Sequence, residues 1–240
     1  MLSDIIAQLA PTGVLYAGIN LSNPLLVTGL SETGTPVGVS PDMVAALAAR
    51  LDLPFEYRCY ERAGDTADAA GECGVVLVAA EPQRAQTIVF SPAYAEIEAT
   101  YLVPEGSPLQ TIAHVDQNGV RIVVANRTAY DLWLSRNIQH ATLVRVDGLN
   151  AAFEHFVAAK LDALAGLRPV LQSQIGALSG ARVLEGRFAT VQQAIGTAKG
   201  NLTAAAFIRQ FVEEAKATGL VKGLIARHNI EGLIAAPTVE

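Results

Sequence analysis

The residues best equipped for chemistry in this chain are arginines set beside turns. Arg84 lies in LVAAEPQRAQTIVFSPAYAEIEATYLV, residues 77–103, which reads as an apolar strand, a polar turn and a second apolar strand beginning near Glu98. A guanidinium at the carboxyl end of a parallel strand can grip a carboxylate through two parallel charge-assisted hydrogen bonds. The alternative is a solvated surface arginine. Arg62, in Glu61-Arg62-Ala63-Gly64-Asp65, is either a second anion contact or a solvated loop charge. Asn126-Arg127-Thr128-Ala129-Tyr130 opens a helix that continues through Trp133 and Leu134. A helix start offers unpaired N–H groups and a positive dipole end to an anion, so Thr128, Ala129 and Tyr130 are candidate contacts; capping alone is the other role for Thr128. Other chemistries find less support. Cys59, Cys73 and the four histidines lack metal-ligand spacing, and the two cysteines read as small apolar fillers. Glu61, Asp65 and Glu81 are the local candidates for a catalytic acid, and none stands in a recognisable catalytic pattern.

The elements that must position these residues follow from composition and periodicity. With 51% hydrophobic and 17% charged residues, 240 residues can bury one large core or two ordinary ones. A net charge of -6 without a basic block argues against a nucleic-acid partner. The first twenty residues lack the basic and apolar regions of a signal peptide, and no stretch reaches membrane-spanning length, so no membrane insertion is expected. A short helix over 3–9 precedes a strand over 13–20 and a polar turn, Asn20-Leu21-Ser22-Asn23-Pro24-Leu25. Ser40 is the expected N-cap of the next helix, with Pro41 at its first position, Asp42 favouring its dipole, and Val44, Leu47, Ala48 and Leu51 on one face. Strands are expected over 55–60, 75–80, 143–146 and 188–197, with helices over 150–159 and 205–217. Such alternation gives an α/β protein with parallel sheets.

Arg84 stands six residues before Phe90-Ser91-Pro92-Ala93-Tyr94, and the pattern resembles the R-x5-F-S-x-P-Y signature of type II periplasmic solute-binding proteins, family 3, the amino-acid-binding-like components of ABC transporters. Gly38-Val39-Ser40-Pro41-Asp42, the strand segment over 115–124, the strand over Lys160 to Arg168 and Lys199-Gly200-Asn201 match further motifs, in order, over nearly the whole chain. The resemblance implies a two-lobed periplasmic-binding-protein-like type II fold, each lobe a mostly parallel sheet flanked by helices, with two hinge crossings. Lobe 1 would comprise 1–103 and 197–240, and lobe 2 residues 104–196. Arg84 would hold the ligand's carboxylate in the interlobe cleft. In the family the 20–25 segment supplies a carboxylate and a stacking aromatic; the nearest positions here are Asn20, Ser22 and Asn23, which offer no stacking ring. Arg62 stands near a covering aromatic, and Ala79 near a ligand-binding hydroxyl. The family's acid for an α-ammonium falls at Leu167, beside Arg168, which would meet a second anionic group.

The resulting expectation is a binding protein for a small organic anion, without cofactor, monomeric, and served by an ABC-transporter permease. Family resemblance would place it in the periplasm; a native start at Met1 would place it in the cytoplasm. The alternative is an enzyme like the cyclohexadienyl dehydratases on the same scaffold. The effector domain of a transcription regulator is a third class, but no basic recognition helix precedes Gly13.

Overall fold

The structure is a computed structural model that describes residues 2–239. Met1, on which the expectation of a native start rests, lies outside them. The chain divides into two compact units, residues 1–96 with 192–240, and residues 97–191. The divisions run through two long strands rather than through loops, so no turn signal marks them.

The first unit begins with α1 (Leu2–Leu9) and β1 (Leu15–Asn20), then the short pair β2 (Gly29–Leu30) and β3 (Pro36–Val37), and α2 (Val39–Leu51). It continues with β4 (Phe55–Tyr60), α3 (Ala63–Asp68), β5 (Val75–Ala79), β6 (Ile88–Phe90) and the start of β7 (Ala95–Val103). β4 and β5 flank β1, both parallel to it. All five residues of β5 are buried, as its unbroken Val-Val-Leu-Val-Ala run requires of a strand covered on both faces. The helix α2 buries Val44, Leu47, Ala48 and Leu51 as its periodicity predicts, and Val39 and Met43 besides.

The start of α2 differs from the expectation. Gly38, not Ser40, is the N-cap, with φ 146 and ψ -175. That backbone conformation favours glycine, and a Cβ there would run into the Leu26 carbonyl. Ser40 therefore enters the first helical turn, where its hydroxyl is buried instead of capping.

The second unit takes up β7 and adds β8 (Arg121–Ala125), α4 (Ala129–Asn137), β9 (Thr142–Val146), α5 (Leu149–Ala158), β10 (Ala163–Leu167), α6 (Arg168–Gln174) and β11 (Arg182–Val183). β8 lies between β9 and β10, parallel to both, while β10 runs antiparallel to β7. Leu102, Val123, Phe156, Leu161, Leu164 and Leu171 form its core. The long strand β12 (Ala189–Ala198) carries the chain back to the first unit, where its later residues pair antiparallel with β5 and β6. Two helices, α7 (Leu202–Ala217) and α8 (Leu220–Arg227), and β13 (Ile234–Ala235) follow. No described helix is long and apolar enough to cross a membrane.

Candidate functional site

In the first unit the parallel register of β4, β1 and β5 brings their carboxyl ends to one edge, with Asn20 opposite Tyr60. Arg84 follows the end of β5 and is only 7% exposed. Its Nη1 donates to the Ala79 carbonyl at 2.8 Å, so the guanidinium is pinned at the strand end where its position relative to the apolar run predicts it. Burying a cation is costly unless acceptors meet it, which makes this a built position rather than a surface arginine. The Arg84–Gln86 turn is held from behind. Lys199 donates its backbone N–H to Thr87 O at 2.9 Å and its Nζ to Gln86 O at 3.2 Å, which gives the Lys-Gly-Asn motif a bracing role.

The Phe90–Tyr94 segment is a second brace. Ser91 and Ile195 exchange backbone and hydroxyl hydrogen bonds, Ser91 N donating to Ile195 O at 2.9 Å and Ile195 N to Ser91 Oγ at 3.1 Å. Tyr94 is fully buried, and its hydroxyl meets Ser40 Oγ at 2.8 Å. Burial pushes the Tyr94 hydroxyl well above its ordinary pKa, so the ring keeps its proton and the pair stays neutral.

The remaining residues on this edge are held in local turns. Asn20 Oδ1 accepts from both the N–H and the hydroxyl of Ser22, at 3.1 and 2.7 Å. Asn23 is buried, its Oδ1 accepting from Leu25 N at 3.1 Å. Arg62 is exposed and donates from Nε to Asp65 Oδ2 at 2.8 Å, so Asp65 serves Arg62. Ala79 is buried and contributes its carbonyl, not a side-chain hydroxyl, to the arginine. Gly74, just before β5, packs so close to the Leu9 carbonyl that a Cβ has no room.

In the second unit the chain leaves β8 at Ala125 and turns through Arg127, at φ 58, into α4. Thr128 is the N-cap: its Oγ1 accepts from Asp131 N at 3.2 Å and donates to Ala125 O at 2.8 Å. The first intrahelical bond is Leu132 N to Thr128 O, so the N–H groups of Ala129 and Tyr130 lie ahead of the intrahelical ladder. Asp131, outside the residues expected from the sequence, is the N3 residue of a capping arrangement. It is 2% exposed, accepts from Arg127 N and Arg145 Nε, both at 2.8 Å, and fixes the turn in place. The sequence signal was present in Thr-x-x-Asp before an apolar helix. Burial raises the Tyr130 hydroxyl far above its ordinary pKa.

Leu167 ends β10 and is buried, with an extended φ of -70 and ψ of 131. Arg168, expected to meet a second ligand anion, spends its donors within its own unit. Its Nε pairs with Glu98 Oε2 at 2.7 Å, its Nη1 donates to Leu184 O at 3.3 Å, and its Nη2 to Gly186 O. Glu98 also holds Arg187 at 2.7 Å, and hydrogen bonds from the two guanidinium groups keep its carboxyl below the ordinary value of 4.5. A residue one position beyond a strand end can turn toward a ligand or back along the sheet, and the partner at Glu98, seventy residues earlier, decides the direction here. The structure thus gathers Asn20, Ala79 and Arg84 at one strand edge, places Thr128, Ala129 and Tyr130 together at one helix start, and assigns Arg168 to a brace.

The sequence pattern of the bacterial extracellular solute-binding proteins, family 3, matches residues 17–230. Comparison with curated proteins finds no match by sequence. Among solved structures, the solute receptor for L-cysteine of Neisseria gonorrhoeae superposes with a TM-score of 0.77 at 18% identity, covering 96% of this chain and 99% of the receptor. The P235GK mutant of ArgBP from T. maritima gives 0.74 at 20% identity, covering 93% and 98%. AncCDT-1, an ancestral amino acid-binding protein and precursor of cyclohexadienyl dehydratase, gives 0.74 at 18% identity, covering 94% and 97%. At these identities the likeness establishes the fold, which is that of the type II periplasmic binding proteins. The family pattern covers nearly the whole chain and includes both the pinned arginine and the helix start, and on that ground the chain belongs to the bacterial extracellular solute-binding proteins, family 3.

Proposed function

We propose that this protein binds a small organic carboxylate and serves as the receptor component of an ABC transporter or sensor, with Arg84 as the carboxylate contact. The observation that carries the reading is the placement of Arg84: a guanidinium 7% exposed, held at the carboxyl end of a buried parallel strand by the Ala79 carbonyl. Guanidinium groups in such positions recognise planar anions through paired donors. Each unit carries its own anion-facing feature, Arg84 in the first and the start of α4 at Thr128, Ala129 and Tyr130 in the second. The permease is the partner that family membership supplies for this reading.

The ligand class is narrowed at Leu167. Taking an α-ammonium out of water costs several kcal/mol unless an acceptor of opposite charge meets it. The position at which the family resemblance implies an acid carries a buried leucine here. Asp162, five residues earlier, is committed to Arg121, accepting from its N–H at 2.8 Å and its Nε at 3.1 Å. A keto or hydroxy acid is therefore expected to bind at least about tenfold more tightly than the matching amino acid. Thermal shifts measured on paired compounds test this, because a ligand raises the melting temperature by mass action. Larger shifts with the acids lacking an amino group support the reading, and stabilisation by standard amino acids alone overturns it.

A further inference from the structure

The second unit contains a cavity that the carboxylate reading does not use. It opens beside the start of β10 and has a volume of about 360 Å³, within the range of roughly 300–1,000 Å³ typical of small-molecule sites. Leu167 and the start of α6 lie at the opposite end of that strand. Its floor is part of the unit's core: Phe156 and Leu161 are buried, and half-buried Leu178 packs against them. Its rim carries Lys160, Glu105 and Ser179.

The charges on that rim have a definite arrangement. Lys160 stands at φ 48, its carbonyl fixed by Arg121 Nη2 at 2.7 Å, so its backbone is held although its side chain is exposed. Glu105 lies over Gly180, at φ 72, whose missing Cβ leaves the space for the carboxyl group. Among the described residues neither the Lys160 ammonium nor the Glu105 carboxylate has an ion pair or side-chain hydrogen bond. The third charge lining the cavity, Asp162, is already neutralised by Arg121. An apolar floor beneath one unengaged cation, one unengaged anion and a hydroxyl is complementary to a molecule with an apolar body and both charges at one end.

We infer that this cavity is a second binding site, distinct from Arg84, that takes a free amino acid with an apolar side chain. The side chain lies on Phe156, Leu161 and Leu178. The carboxylate meets Lys160, and the ammonium meets Glu105. The inference is independent of the ligand assigned to Arg84.

L-leucine is the probe, titrated into the full chain while the methyl resonances of Val157, Leu161 and Leu178 are followed by NMR. Saturable shifts are expected at these methyls, together with nuclear Overhauser contacts from the leucine methyls to the Phe156 ring. Lys160→Gln and Glu105→Gln, both at exposed positions, are expected to weaken binding roughly tenfold each. The half-probes 4-methylpentanoate and isopentylamine are expected to bind correspondingly weakly. The methyl shifts persist in Arg84→Ala; if that variant does not fold, the contacts to Phe156 in the parent protein make the same distinction. Absence of shifts at these methyls overturns the proposal, as does binding abolished only by Arg84→Ala, or binding indifferent to both rim variants.

Discussion

Ser40 and Tyr94 show how one side-chain pair can tie distant parts of a chain together. Their hydroxyls meet at 2.8 Å, with Tyr94 fully buried and Ser40 at the start of α2. Removing either partner leaves the other buried and unsatisfied, which costs about 1–3 kcal/mol, whereas removing both together costs much less. Denaturant unfolding of Ser40→Ala, Tyr94→Phe and the double variant should therefore give a clearly non-additive cycle; additive costs would mean that the hydroxyls do not interact. Glu98 gives a second expectation. Because its carboxyl is held below 4.5 by Arg168 and Arg187, the stabilisation it provides is present near neutral pH and is lost as pH falls through that lowered value. Glu98→Gln is expected to lower the melting temperature by about 2–4 °C near neutral pH, for an interaction worth about 1 kcal/mol, and to make little difference well below pH 4.5. A constant gap across pH would contradict the assignment. Residue identity made Arg84 legible, since an arginine just after an unbroken apolar strand has few places to go. It did not make Arg168 legible, because the partner that claims it is far away in sequence.

At the scale of elements, periodicity located the long strands and most of the helices, but not α3, α6 or the short strands β2, β3, β6, β11 and β13, which carry too few residues to show a period. The ends of elements were harder. The Ser40-Pro41-Asp42 triplet carries good capping residues, yet the helix begins at Val39 because Gly38 alone fits against the Leu26 carbonyl. The contact that sets this boundary is tertiary, and local capping preference cannot see it. Gly38→Ala is expected to cost about 2–4 kcal/mol, combining an unfavourable φ with a backbone overlap. A cost below about 1 kcal/mol, read from chemical denaturation, would show that the turn relaxes freely. The start of α4 was more legible, since Thr128 caps as its type predicts and Asp131 completes the arrangement from within the same turn. That local closure also explains how Arg127 can occupy φ 58, a conformation that favours glycine.

At the scale of the whole molecule, the alternation of strand and helix signals with ordered motifs was enough to give the fold, because those motifs mark strand ends and helix starts. The points at which the chain passes between units were not marked, since both lie inside continuous strands. The central claim is that the molecule is a carboxylate receptor whose main electrostatic contact is Arg84. Removing one partner of a buried charge pair costs about 2–5 kcal/mol, or roughly 30- to several-thousand-fold in affinity. The most direct test is isothermal titration calorimetry of the parent and Arg84→Ala, using the small acid that native mass spectrometry finds co-purified with the parent protein. A loss of affinity in that range is predicted, and binding by the variant within about threefold of the parent would contradict the account.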